Sequence, residues 1–168
     1  GREIWQVDYD GYSVVPRPVF GHGLVYVCTG WSPPKLLAIR PDGESNVSQS
    51  HLEWTISREV SNSPSPLLFG DELYLVSDRG TASCIDAKRG NVLWKKRIGG
   101  NYSASPLYAD GKIYFQSEEG DATVIKAGTT YVELAKNRMG EETLASYAVV
   151  DSALLIRTAG HLYRIESP

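Results

Sequence analysis

The sequence predicts an all-β fold, a β-propeller of four-stranded antiparallel blades, on three observations. The run from Ser65 to Ser77 returns from Ser105 to Ser117 at a constant offset of 40 residues. A fixed period of that size marks stacked, similar units. Each unit holds four short apolar runs separated by turn residues, which is the composition of a propeller blade. No apolar pattern at helical spacing extends beyond about two turns.

The elements follow in order, with strands labelled A to D from the channel outward. Gly1-Arg2-Glu3-Ile4-Trp5 matches Gly90-Asn91-Val92-Leu93-Trp94, the D-strand stretch of the repeat, so residues 1–8 read as a D strand. Blades follow at about 14–60, 62–98, 103–136 and 144–166. The first copy carries Pro18 to Val27, 48 residues before the equivalent run at Pro66. In the second copy the four apolar runs are Pro66 to Phe69, Leu73 to Ser77, Ala82 to Ile85 and Val92 to Trp94. Gly70-Asp71, Asp78-Arg79-Gly80 and Lys88-Arg89-Gly90-Asn91 lie between them, and such residues reach the backbone angles of tight turns. The last copy runs from Ser146 to Ile156 and continues to a C strand at His161 to Ile165. This count gives about four blades and two arrangements. Residues 1–8 complete the fourth blade and close a four-blade ring, or the chain is an arc, half of an eight-bladed ring. An arc leaves unpaired edges and an apolar blade face at each end, which self-association completing a larger ring would cover.

Composition removes several function classes. The 168 residues carry a net charge of −3, which gives no electrostatic case for nucleic acid. No apolar run reaches the length of a transmembrane segment. His22, His51 and His161 show no metal-ligand spacing, and neither a Cys-x-x-Cys nor a Gly-x-Ser-x-Gly elbow occurs. Cys28 and Cys84 read as small buried apolar residues on neighbouring blades. The catalytic set is therefore empty, and no metal site is expected.

Binding residues are expected on one face. The D-to-A and B-to-C connections share a face, and their loops are richer than the minimal A-to-B turns opposite. Function concentrates on loops held by a rigid scaffold. The candidates there are Tyr12, Arg17, Trp31, Asn62, Arg79, Tyr102 and Glu118. Arg17 stands where the parallel copies have Ser65 and Ser105, and an inward guanidinium would offer five donors to a partner. Trp31 lies in an insertion absent from the other copies, beside Pro33-Pro34.

Asp86-Ala87-Lys88-Arg89-Gly90-Asn91-Val92-Leu93-Trp94 resembles the Asp-x-x-x-Gly-x-x-x-Trp signature of the pyrroloquinoline-quinone-like (quinoprotein-type) β-propeller repeat family. Trp5 and Trp54 occupy the Trp position in other copies, and Cys84 stands where the family usually has Ala. The motif has a physical sense: the Asp caps the C-to-D turn, the Gly takes a left-handed conformation and the Trp wedges between blades. Copy three has Lys126 and Leu134 instead, so weaker docking is expected there. The chain is most similar to the C-terminal half of bacterial outer-membrane-assembly-like repeat proteins. That resemblance implies an extracytoplasmic location, the bacterial periplasm. With the repeat signature intact and no catalytic residues evident, the expectation is a non-catalytic scaffold that binds a protein or extracellular ligand through the D-to-A and B-to-C loop face, with no cofactor. One alternative is part of a quinone-dependent alcohol or sugar dehydrogenase, holding the quinone with calcium. The family's dehydrogenases use an adjacent Cys pair beside the quinone, and none occurs here. Another is a carbohydrate-binding module that stacks sugars on Tyr12, Trp31 and Tyr102.

Overall fold

The computed structural model describes residues 1–166. Strand β1 (Trp5–Gln6) precedes a first blade built from β2 (Val19–Gly21), β3 (Leu24–Cys28) and β4 (Leu36–Ile39). A short β5 (Ser45–Asn46) then precedes the outermost strand β6 (Leu52–Ile56). The second blade is β7 (Leu67–Phe69), β8 (Glu72–Val76), β9 (Thr81–Asp86) and β10 (Val92–Arg97). The third is β11 (Leu107–Ala109), β12 (Lys112–Gln116), β13 (Asp121–Lys126) and β14 (Glu133–Arg138). The fourth is β15 (Ala148–Val150), β16 (Ala153–Arg157) and β17 (Leu162–Ile165). Each blade is antiparallel in simple sequence order, as the turn spacing requires. No helix interrupts the described residues.

The blades are sandwich fillings for one another. Successive side chains on a strand point to opposite faces. Inner strands covered on both sides therefore read as continuous apolar runs, and Leu73, Tyr74, Leu75 and Val76 are all buried. Leu73 and Leu75 pack with Tyr26, Cys28 and Ala38 of the first blade. Tyr74, Val76 and Cys84 pack with Ile113, Phe115 and Ile125 of the third. The third interface is thinner: its fully buried members are Ala122, Tyr147 and Ile156. Leu134, at the Trp position of that copy, is 49% exposed.

The repeat signature performs the roles its chemistry suggests. Asp86 accepts the amides of Lys88 and Arg89 at 2.9 and 3.0 Å, closing the turn. Trp54 donates its indole N–H to Ala87 of the next blade at 3.2 Å, and Trp94 repeats that contact on Gly128. Two tyrosines finish the joint: the Tyr26 hydroxyl donates to Ala87 O at 3.0 Å, and the Tyr74 hydroxyl accepts the Gly128 amide at 2.7 Å.

Nearest the axis runs a chain of serine hydroxyls. The Arg17 amide donates to Ser65 Oγ, that of Ser65 to Ser105 Oγ, and that of Ser105 to Ser146 Oγ, at 2.9, 3.0 and 2.9 Å. The sequence separations are 48, 40 and 41, the repeat periods themselves. Equivalent residues thus meet across every blade junction.

One expectation is corrected. Residues 1–8 do not add to the fourth blade. Trp5 and Gln6 instead pair in parallel with Ser45 and Asn46. The lengthened C-to-D turn of the first blade carries β5 out to meet them. The Ser45 amide donates to Ile4 O and the Val47 amide to Gln6 O, both at 2.9 Å. Asn46 and Ser48 then hold Asp8 through its carboxylate and amide. The four-blade ring closed by this segment is not formed.

Candidate functional site

The D-to-A face is organised by a recurring contact: in the second, third and fourth blades a carboxylate ties the incoming linker to the B-to-C loop of the blade it enters. In the second blade Asp78 accepts the Asn62 amide at 2.7 Å, the Asn62 side-chain N–H at 3.0 Å and the Ser63 amide at 3.1 Å. In the third, Glu118 accepts from the Ser103 hydroxyl at 2.5 Å, and Glu119 accepts the Asn101 side chain at 2.9 Å. Burial pushes Glu119 up, but the bonds from Ser117 and Asn101 outweigh it and hold the carboxyl below its usual range.

The fourth blade inverts the arrangement. Its B-to-C loop has Ala159-Gly160 where earlier copies carry Asp78-Arg79 and Glu118-Glu119. The acid comes from the linker instead. Glu141 accepts the Thr158 hydroxyl at 2.6 Å, His161 Nδ1 at 2.6 Å, the Gly160 amide at 3.2 Å and the Tyr163 hydroxyl at 3.1 Å. These bonds, the Thr158 hydroxyl foremost, hold its carboxyl down at about 2.

The small residues at 159 and 160 leave space. A cavity of about 550 Å³ opens between the third and fourth blades, lined by Glu118, Glu119, Glu142, Arg157, Leu144 and their neighbours. Leu144, Glu119, Glu142 and Arg157 are exposed and Glu118 is half-buried, so the lining sets an apolar side chain beside three carboxylates and one guanidinium. Nothing in that lining forms a nucleophile and base pair.

The seven sequence candidates separate into three groups. Glu118 lines the cavity. Tyr12 and Trp31 are exposed on the first blade and joined by an antiparallel bridge. Arg17 and Arg79 are exposed, and the cavity lining includes neither. Asn62 and Tyr102 are buried, which corrects their reading as surface contacts. Tyr102 is 2% exposed within the core between the second and third blades, so it presents no ring to a sugar. Asn62 is held by Asp78, and its Oδ1 is buried without a partner. Sequence reasoning placed both on loops, correctly, but linkers next to the axis face the interior. Of the cavity lining it named only Glu118 as a candidate, and it passed over Arg157 and Leu144 as well as the Glu141 clasp. Aligning Ala159-Gly160 with the earlier acidic loops would have located the gap.

The description of the family model that matches residues 1–134 is outer membrane protein assembly factor BamB. The chain belongs to this family. No curated protein sequence matches it. Among solved structures it is similar to BamB from Moraxella catarrhalis, with a TM-score of 0.75 at 18% identity, over 97% of this chain and 49% of that one. The chain thus spans about half the length of that BamB. It is also similar to the computationally designed Ika4 protein, with a TM-score of 0.73 at 10% identity, over 99% of this chain and 98% of that one. The quinohemoprotein alcohol dehydrogenase ADHIIG from Pseudomonas putida HK5 matches with a TM-score of 0.70 at 15% identity, over 90% of this chain and 29% of that one. At these identities the structural likeness shows the shared β-propeller fold.

The two cysteines do not form an adjacent pair. Cys28 and Cys84 are separately buried in two different blade interfaces. Burial pushes their thiols up to about 11 and about 12. No group of three or more His, Cys, Asp or Glu side chains among the described residues is placed to hold a metal ion together. No helix of the described chain is long and apolar enough to cross a membrane.

Proposed function

We propose that this chain is a non-catalytic β-propeller scaffold that receives a segment of another protein on its D-to-A face. The observation that carries this reading is the cavity between the third and fourth blades. It sets the exposed Leu144 beside Glu118, Glu142 and Arg157, a mixture suited to an extended peptide with both apolar and charged side chains. The family description, an outer membrane protein assembly factor, supports a protein partner and an extracytoplasmic, periplasmic location.

Photo-crosslinking tests it. A benzophenone side chain placed at Glu142 forms discrete protein adducts in cells, and one placed at Asp71 on the opposite face does not. Equal labelling from both positions, or none from Glu142, defeats the reading.

We also propose that the chain is an arc of a larger ring. Phe20 is 66% exposed, whereas its repeat equivalents Leu68 and Tyr108 are half-buried against neighbouring blades. Further blades, from a longer chain or a second copy, would cover it. Light scattering on the 168-residue chain that shows an ideal monomer across concentrations removes the second copy.

The likeness to ADHIIG favours a rival reading, part of a quinone-dependent dehydrogenase. Added quinone and calcium that raise the melting temperature saturably would replace the scaffold reading with that one.

A further inference from the structure

The first blade carries a second feature on the same face, far from the cavity in the repeat order. Tyr12 and Trp31 form a two-way bridge: the Tyr12 amide donates to Trp31 O at 3.2 Å, and the Trp31 amide to Tyr12 O at 2.9 Å. Residues directly opposed in an antiparallel pair send their side chains to the same side, with Cα atoms about 5.5 Å apart in the hydrogen-bonded case. Both rings are open to solvent, Tyr12 at 62% and Trp31 at 49%.

The backbone beneath them is built to close approach. A Cβ on Gly30 would stand 2.5 Å from Tyr12 O, and one on Gly11 would collide with Thr29 O. Both glycines also have positive φ, +74° and +152°. Beneath the loop, fully buried Thr29 locks its base: its amide donates to Lys35 O at 2.9 Å, and its hydroxyl accepts the Lys35 amide at 3.0 Å. The insertion absent from the other copies, with the linker bridged to it, is therefore a fixed mount that carries two exposed aromatic residues. Apolar rings this exposed are not contributing to the core.

We propose that Tyr12 and Trp31 form a stacking platform for a neutral glycan. The electron-rich ring faces attract the polarised C–H groups on one side of a pyranose, as they attract other positive edges. Two rings side by side on a ribbon offer room for successive sugars along an extended chain. The charges flanking the pair are of both signs, Asp10 beside Tyr12 and Lys35 at the loop's closing bonds, which favours an uncharged ligand over a strongly charged one. Neither ring lines the cavity between the third and fourth blades. The proposal does not rest on the protein-binding reading, because the two sites share no residue.

Calorimetric titration of the 168-residue chain with hexasaccharides of β-1,4-linked glucose and of β-1,4-linked N-acetylglucosamine tests it, with decaproline as comparator. At least one hexasaccharide binds saturably, and Trp31→Ala and Tyr12→Ala each weaken it tenfold or more. Because both rings are exposed, each variant keeps the parent melting temperature within a few degrees, and the two variants check one another. Silence with both sugars, binding unchanged in both variants, or saturable binding of decaproline alone overturns the proposal.

Discussion

The indole of Trp54 lies against the α-carbon of Gly90 on the next blade, at a position where a Cβ would stand 2.7 Å from its Cδ2. Gly90 has a φ of +73°, so the residue is fixed twice, by the turn it makes and by the ring it admits. The signature glycine and the signature tryptophan of adjacent copies are thus partners across a blade junction.

Replacing Gly90 with Ala should destabilise the chain by about 2 kcal/mol or more, because neither the backbone angle nor the indole contact tolerates a methyl group. Trp54→Ala should cost roughly 3 kcal/mol, from the lost ring contact and the lost indole hydrogen bond to Ala87 O, which keeps only the Tyr26 hydroxyl. Urea unfolding followed by circular dichroism measures both. Within the pair the losses are not additive, since Gly90→Ala already displaces the ring.

Amide hydrogen exchange should rank the blades. The amides of β8 and β9 lie between two well-filled interfaces and should exchange with the global opening. Those of β16 and β17, resting on the thinnest of the three cores, should exchange earlier. Uniform protection across β8 and β16 would contradict that order.

Glu141 predicts an acid-sensitive fourth blade. Its folded carboxyl is depressed to about 2 from an ordinary value of 4.5. The sign follows from the depression: its contribution is complete above about pH 4.5 and is lost as pH falls from there towards 2. The Gly160 amide resonance should therefore shift with a midpoint near 2. In Glu141→Gln the shift disappears and the loop loses protection at neutral pH.

Cys28 and Cys84 should resist alkylation in the native chain. Both thiols are buried, and desolvation pushes them up to about 11 and about 12, so few thiolates form at neutral pH. Labelling with iodoacetamide, followed by mass spectrometry, should proceed only with blade opening and should accelerate in Gly90→Ala, first at Cys28.

Much of the architecture was legible because the repeat writes each junction twice. The offset between Ser65 and Ser105 is the separation of two residues in hydrogen-bond contact. Asp86, Gly90 and Trp94 announce a turn and a docking ring through chemistry that acts within ten residues. The parallel pairing of Trp5 with Ser45 was not legible, because it depends on the path of a long turn and no other copy repeats it. The burial of Tyr102 was hidden for a related reason: a polar-flanked aromatic on a linker looks exposed until the curvature of the ring turns it inward. The Glu141 clasp has no counterpart, since the equivalent residue of the preceding copy is Gly100.

The serine chain has a practical corollary. The first period is 48 residues and the second 40, yet both deliver the same bond at the axis. The difference is taken up in the outward excursions at 29–35 and 40–51, leaving the hub unaware of it. Foreign segments spliced into those two excursions should leave the blade spacing undisturbed, whereas a single residue inserted within β7 would slip its register on β8 and turn its side chains to the wrong face.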